Sequence, residues 1–192
     1  MLAVDGRITT DDGVIHTETA QKWCTTTGGI TSVFAGSVPH IQAAIRVLTQ
    51  PASAGGPKHV RSVAEFMDVV LNCRPHVNAS TDAEADAWEA LVYDSQKREL
   101  YHVDSDGSCL QVDRRCAAIG SGSDIALGFL AAKMDAAGPD GKARAWTTTQ
   151  ASAQLRGAIR AASNRHSTVG PKANVIEVDL NTGRVRLRSK LR

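Results

Sequence analysis

Apolar positions along this chain repeat with two different periods, and the changes between them mark out the elements. Ile41, Ala44, Ile45 and Leu48 fall at helical spacing just after Pro39, which predicts a helix with one buried stripe. Val63, Phe66, Val69 and Val70 repeat the pattern behind Ser62, a suitable N-cap. Ahead of these, Ile30 to Ser37 is a strand closing at Gly36, and Leu2-Ala3-Val4 and Val14-Ile15 are shorter extended runs. Trp88 to Tyr93 and Leu100 to Val103 read as strands joined by the turn Asp94 to Arg98, and Asp106-Gly107 signals a further hairpin. Ile125, Leu127, Phe129 and Leu130, with alanines between them, fit a buried helix. A helix over Thr149 to Arg165 should turn Ala153, Ala158, Ile159 and Ala162 inward. Val175 to Leu180 and Val185 to Leu191 form a terminal hairpin about Asn181-Thr182-Gly183.

The order is therefore strands, two helices, strands, two helices, strands. Strands and helices that come in separate runs favour antiparallel sheets covered by helices over a doubly wound parallel sheet. Two stacked sheets between two helical layers accommodate every element, with Leu2–Thr9 and Ile30–Ala35 expected in one sheet. A length of 192 residues suits one domain, 1–192, with a substantial core.

Composition narrows the function classes. A net charge of +2 is near neutral, so the chain is not expected to be a nucleic-acid protein, although Arg184, Arg186 and Arg188 share one face of the last strand. That stripe reads as a charged edge that discourages strand-to-strand aggregation. No apolar run approaches the roughly 20 residues of a membrane span, and no signal peptide is apparent. Cys24, Cys73, Cys109 and Cys116 form no Cys-x-x-Cys pair, so neither a metal site nor a disulfide framework is expected, and a reducing cytoplasm is the simplest setting. Asp82, Glu84 and Asp86 read as an exposed loop, since no His or Cys there completes a ligand set. No cofactor is implied.

The centre of the chain carries the chemistry. Leu100-Tyr101-His102-Val103-Asp104-Ser105-Asp106-Gly107 leads through a second extended run to Gly120-Ser121-Gly122 at the mouth of a helix. Glycines on both sides let the backbone turn sharply and hold Ser121 where a strand gives way to a helix. Taken with Val4-Asp5-Gly6-Arg7-Ile8-Thr9, this resembles proteasome β-subunits and the bacterial HslV peptidase, in which a tyrosine–x–valine–aspartate–x–x–glycine hairpin precedes glycine–serine–glycine and a helix. The resemblance runs from Leu2 to about Val178 and looks β-type, without the extra N-terminal helix of α-subunits.

The resemblance implies an α+β fold, the four-layer αββα sandwich of N-terminal-nucleophile hydrolases, with two antiparallel sheets between helical layers. It implies a threonine-type endopeptidase of a self-compartmentalised protease: a homo-oligomeric ring acting on peptides or unfolded proteins, with an ATPase unfoldase as a cap. By position, Asp5, Lys22 and Ser121 take the supporting catalytic roles, Gly36 donates its amide to an oxyanion hole, and Thr9 lines the substrate site. A lysine beside a hydroxyl and a free amine favours removal of their protons. His166 stands where eukaryotic-type subunits hold an aspartate; that role does not transfer, and an imidazole there either bonds Ser121 or, as expected, caps the helix end.

One part of the family pattern has no match. The nucleophile should head a strand that hairpins into the aspartate-bearing strand, yet that second strand begins here at Leu2. Thr9 and Thr10 follow Asp5, carry no free α-amine and cannot serve. The chain beginning at Met1 is therefore expected to be inactive by itself, and a preceding threonine strand is expected in the native protein. The alternative is a non-catalytic ring-forming structural or regulatory relative; a nucleic-acid module using the C-terminal arginines carries least weight.

Overall fold

A computed structural model describes residues 1–9, 15–17, 19–50, 59–73, 87–113, 116–135, 146–179 and 184–188. The expected turns at 10–13 and 181–183 and the acidic stretch 82–86 lie outside them. The described elements follow the predicted order: β1 (Leu2–Asp5), β2 (Ile8–Thr9), β3 (Ile15–Thr17), β4 (Trp23–Thr25), β5 (Ile30–Gly36), α1 (Val38–Thr49), α2 (Val63–Asn72), β6 (Trp88–Asp94), β7 (Glu99–Asp104), β8 (Cys109–Gln111), α3 (Ser123–Asp135), α4 (Thr148–Ser163), β9 (Ala173–Val178) and β10 (Val185–Leu187). They form two compact units, one of residues 1–21, 116–178 and 185–192, the other of 22–115 and 179–184.

The second unit is built on an antiparallel five-stranded sheet in the order β4-β5-β6-β7-β8. Alternation sorts its residues between the faces. Cys24, Phe34, Trp88, Ala90, Val92 and Val103 point to one side and join Ile41, Ala44, Ile45 and Leu48 of α1 and Val63, Phe66 and Val70 of α2 in a single core. The α1 stripe is the one its spacing predicts. Phe34 anchors this core, with its ring centroid 6.1 Å from Phe66 in a stacked pair and 6.4 Å from Trp88 edge-on. Ser62 caps α2, accepting from the Glu65 N–H at 3.2 Å. The Asp106-Gly107 turn joins β7 to β8, and Asp106 Oδ1 accepts from the Ser108 N–H at 2.7 Å.

In the first unit a three-stranded antiparallel sheet has the order β1-β9-β10, with β2 and β3 as a separate ribbon. Here the expectation that Leu2–Thr9 and Ile30–Ala35 share a sheet fails. Leu2, Ala3, Val4 and Asp5 lie opposite Ile176, Val175, Asn174 and Ala173 of β9. Both sides of β5 are already taken by its hairpin neighbour β4 and by β6, so it offers β1 no free edge. The terminal hairpin forms as predicted, with Val178 opposite Val185.

α3 and α4 pack together through Ala126, Leu130 and Ala158, with Phe129, Leu155 and Trp146 against them. α4 buries Ser152, Ala158 and Ala162, whereas Ala153, expected inward, is exposed. In α3 only Ala126 and Leu130 are buried; Ile125, Leu127 and Phe129 are half-buried. The described residues thus give an α+β fold of antiparallel sheets and four helices.

Candidate functional site

Asp5 closes β1, and its carboxylate is held from two directions. Oδ1 accepts the N–H of Arg7 at 2.8 Å and the N–H of Gly170 at 3.1 Å. Two donors on one carboxylate oxygen fix the side chain more firmly than a single bond could, and the charge strengthens each. Gly170 belongs to the turn that leaves α4, so Asp5 ties the end of the first strand to a segment 165 residues away.

Ser121 lies in the turn before α3. Gly120 adopts a left-handed φ of +84° there, open to glycine at little cost, and a Cβ on Gly122 would meet the Ala162 Cβ at 2.8 Å. The Ser123 N–H bonds the Gly120 carbonyl at 3.0 Å, closing the turn. Ser121 is exposed, and its Oγ is 2.7 Å from Thr168 Oγ1.

His166 stands at the head of the turn that leaves α4. Its N–H donates to the Ala162 carbonyl at 2.9 Å and its own carbonyl accepts from the Val169 N–H at 3.2 Å, so its backbone ends α4. The hydroxyl partner of Ser121 is thus Thr168, which sequence reasoning missed. Arg7 also donates through its guanidinium to the Ser167 carbonyl. Residues 166–170 therefore gather three partners in succession: Arg7 on Ser167, Ser121 on Thr168 and Asp5 on Gly170. Since Thr168 and Gly170 are two residues apart, at most about 7 Å of backbone separates the anchor of Ser121 from that of Asp5.

Lys22 and Gly36 belong to the second unit. Lys22 precedes β4, is half-buried, and accepts the Phe34 N–H on its carbonyl at 2.9 Å. Gly36 ends β5 two residues beyond Phe34, so both occupy the same end of the β4–β5 ladder. Gly36 has φ +103°, and a Cβ there would lie 2.4 Å from the Ala87 carbonyl oxygen. Conformation and space both demand glycine. The next N–H, of Ser37, bonds that same oxygen at 2.9 Å. Thr9 ends β2 opposite Ile15, beside an irregularity in the register. Five of these six residues thus fall into two groups, Asp5, Ser121 and His166 about the turn after α4 and Lys22 with Gly36 at the end of β5, while Thr9 on β2 is placed in neither.

Ionisation separates Cys24, Cys73 and Cys109 from this chemistry. Burial pushes the Cys24 thiol up to about 11, partly offset by its hydrogen bond with Ser32. Burial also raises Cys73 and Cys109, the latter offset by Lys97. Thiols held neutral in this way are poor nucleophiles.

Antiparallel sheets carrying helices, with an aspartate closing the first strand and a glycine-flanked serine opening a helix, define a proteasome-like α+β protein. The family profile described as "Proteasome subunit" matches residues 1–178, and the chain belongs to that family, which makes it a protease subunit of the proteasome/HslV-like type. Among solved structures, eukaryotic HslV from Trypanosoma brucei is similar in fold, with a TM-score of 0.58 and 15% identity over 90% of this chain and 88% of that one. The search of curated proteins gave no match. Among the described residues no helix is long and apolar enough to cross a membrane.

Proposed function

We propose that this chain is a threonine-type N-terminal-nucleophile endopeptidase subunit of a self-compartmentalised protease. Its substrates are peptides or unfolded proteins. It works in a homo-oligomeric ring in the cytoplasm, with an ATPase unfoldase as partner, and residues 1–192 act as one domain. The nucleophile in this reading is an N-terminal threonine. Its α-amine takes the hydroxyl proton as oxygen attacks the peptide carbonyl. The tetrahedral intermediate collapses with transfer of that proton to the leaving amine, and water then hydrolyses the ester. Lys22 and Asp5 favour the deprotonated nucleophile, Ser121 orients the α-amine, the Gly36 N–H stabilises the oxyanion and Thr9 borders the peptide.

The observation that carries the proposal is the turn at 166–170. It serves Asp5 and Ser121 together, although they come from opposite halves of the sequence. Membership of the proteasome subunit family over residues 1–178 supports the reading. Peptide hydrolysis by the mature protein from its natural source is the test. Asp5→Asn, Lys22→Ala and Ser121→Ala should each lower kcat at least about 100-fold, the scale of losing a positioned catalytic group. Thr168→Val should lower kcat by less, because it removes only the support of Ser121. Wild-type turnover in the Lys22 and Ser121 variants would reject the assignment, and a folded, assembled ring without hydrolysis would identify a structural subunit.

A further inference from the structure

The second unit holds a cluster that the peptidase reading does not use. Glu89 on β6 lies directly opposite Asp104 on β7, and His102 sits two residues before Asp104 on the same face. Their neighbours Trp88, Ala90 and Val103 belong to the core under α1 and α2, so these three side chains occupy the other face of the sheet. His102 Nε2 is 3.1 Å from Glu89 Oε2 and 3.5 Å from Asp104 Oδ1, and the three candidate ligand atoms all lie within 4.8 Å of one another.

We propose that Glu89, His102 and Asp104 bind one divalent transition-metal ion, with Zn²⁺ the best fit, and that the ion clamps β6 to β7. Ligand separation favours this. Four-coordinate zinc with bonds of about 2.1 Å places its ligand atoms roughly 3.4 Å apart, close to the two imidazole–carboxylate distances. Ligand chemistry favours it too, because an imidazole with two carboxylates suits Zn²⁺ better than Mg²⁺ or Ca²⁺. Ser108, outside the set, donates its hydroxyl to Asp104 Oδ2 at 3.1 Å, turning Oδ1 toward His102 as the outer partner of a ligating carboxylate does. All three side chains are about one-third exposed, so an ion can enter and water can complete its shell. Nε2 must give up any proton to ligate, so binding releases a proton and weakens as pH falls.

The sequence hides this site. Glu89 and His102 are 13 positions apart, and only the β6–β7 register brings them together. The proposal is independent of the peptidase reading.

Calorimetric titration of the full 192-residue chain with Zn²⁺ near neutral pH tests it. The expected result is one ion per chain, not displaced by equimolar Mg²⁺. His102→Ala should weaken binding about 100-fold or more and Ser108→Ala about tenfold. Zn²⁺ should raise the Tm of the wild type but not of His102→Ala. Should His102→Ala fail to fold, Glu89→Gln serves in its place with about tenfold weaker binding. Co²⁺ substitution should give no thiolate-to-metal charge-transfer band, since the proposed set contains no cysteine. Equal binding by wild type and by whichever variant folds, or a thiolate band, would overturn the site and leave the three groups as an ion-pair cluster alone.

Discussion

At the scale of single residues, Gly36 makes the firmest claim, because φ and space act in the same direction. The alanine Cβ would meet a backbone oxygen at 2.4 Å, and backbone cannot rotate away as a side chain can. Gly36→Ala should therefore cost about 2–4 kcal/mol, beyond the ordinary positive-φ penalty, read as a lowered urea midpoint at unchanged slope. Cys24 gives a pH signature. Burial pushes its folded thiol up to about 11 from an ordinary value of 9.0. Its contribution is complete below the unfolded value. As pH rises between the two, the unfolded chain has lost a proton that the folded chain keeps, so stability falls, by about 2–3 kcal/mol in all. Unfolding measured from pH 8 to about 11 should show this excess fall in the wild type and not in Cys24→Ala. Equal slopes would show the thiol to be solvated. Thr168 shows where reading by residue ends: a lone threonine in a turn belongs to no motif. Its only signal was that it lies two positions beyond His166, for which a bond to Ser121 was the less expected of two roles.

At the scale of elements, the sequence was legible wherever the instruction was local. Asp106-Gly107 named its hairpin, and Ile41, Ala44, Ile45 and Leu48 named the buried face of α1. In α4 the inward face held at Ala158 and Ala162 but missed near the start of the helix, where small side chains give weak contrast between faces and Ser152 rather than Ala153 went inside. Strand partnership failed for β1, since nothing in Leu2–Asp5 names Ala173–Val178 as its neighbour; only the filled edges of β5 exclude the other choice. α4 begins with a reciprocal capping box, Thr147 accepting from Gln150 N–H while the Gln150 side chain accepts from Thr147 N–H. Thr147→Ala should cost about 1 kcal/mol, and Gln150→Ala somewhat less. Gly157→Ala should be destabilising although alanine is the better helix former, because its Cβ would lie 2.6 Å from the Phe129 ring. A rise in Tm in that variant would mean that Phe129 moves aside freely.

At the scale of the whole molecule, the chain passes between its two units at residues 21/22, 115/116, 178/179 and 184/185. The first unit is drawn from three separate segments, so it cannot be completed before most of the chain is available. Unfolding as one domain follows: near-UV and far-UV signals should change together, and the calorimetric and van't Hoff enthalpies should agree. Two resolved transitions would mean that each unit folds alone. The fold class could be read from the order of elements, and the family from Asp5, the hairpin and the glycine-flanked serine. The pairing of Ser121 with Thr168 could not, because it depends on the register in which the turn after α4 meets the turn before α3. The central claim is that Asp5, Lys22 and Ser121 serve an N-terminal threonine. Mass spectrometry of the protein from its natural source, after treatment with an inhibitor that captures a threonine hydroxyl and its α-amine together, tests that most directly. The account predicts a single adduct on an N-terminal threonine, abolished by Lys22→Ala. Ser121-dependent peptide cleavage with no threonine adduct would contradict it.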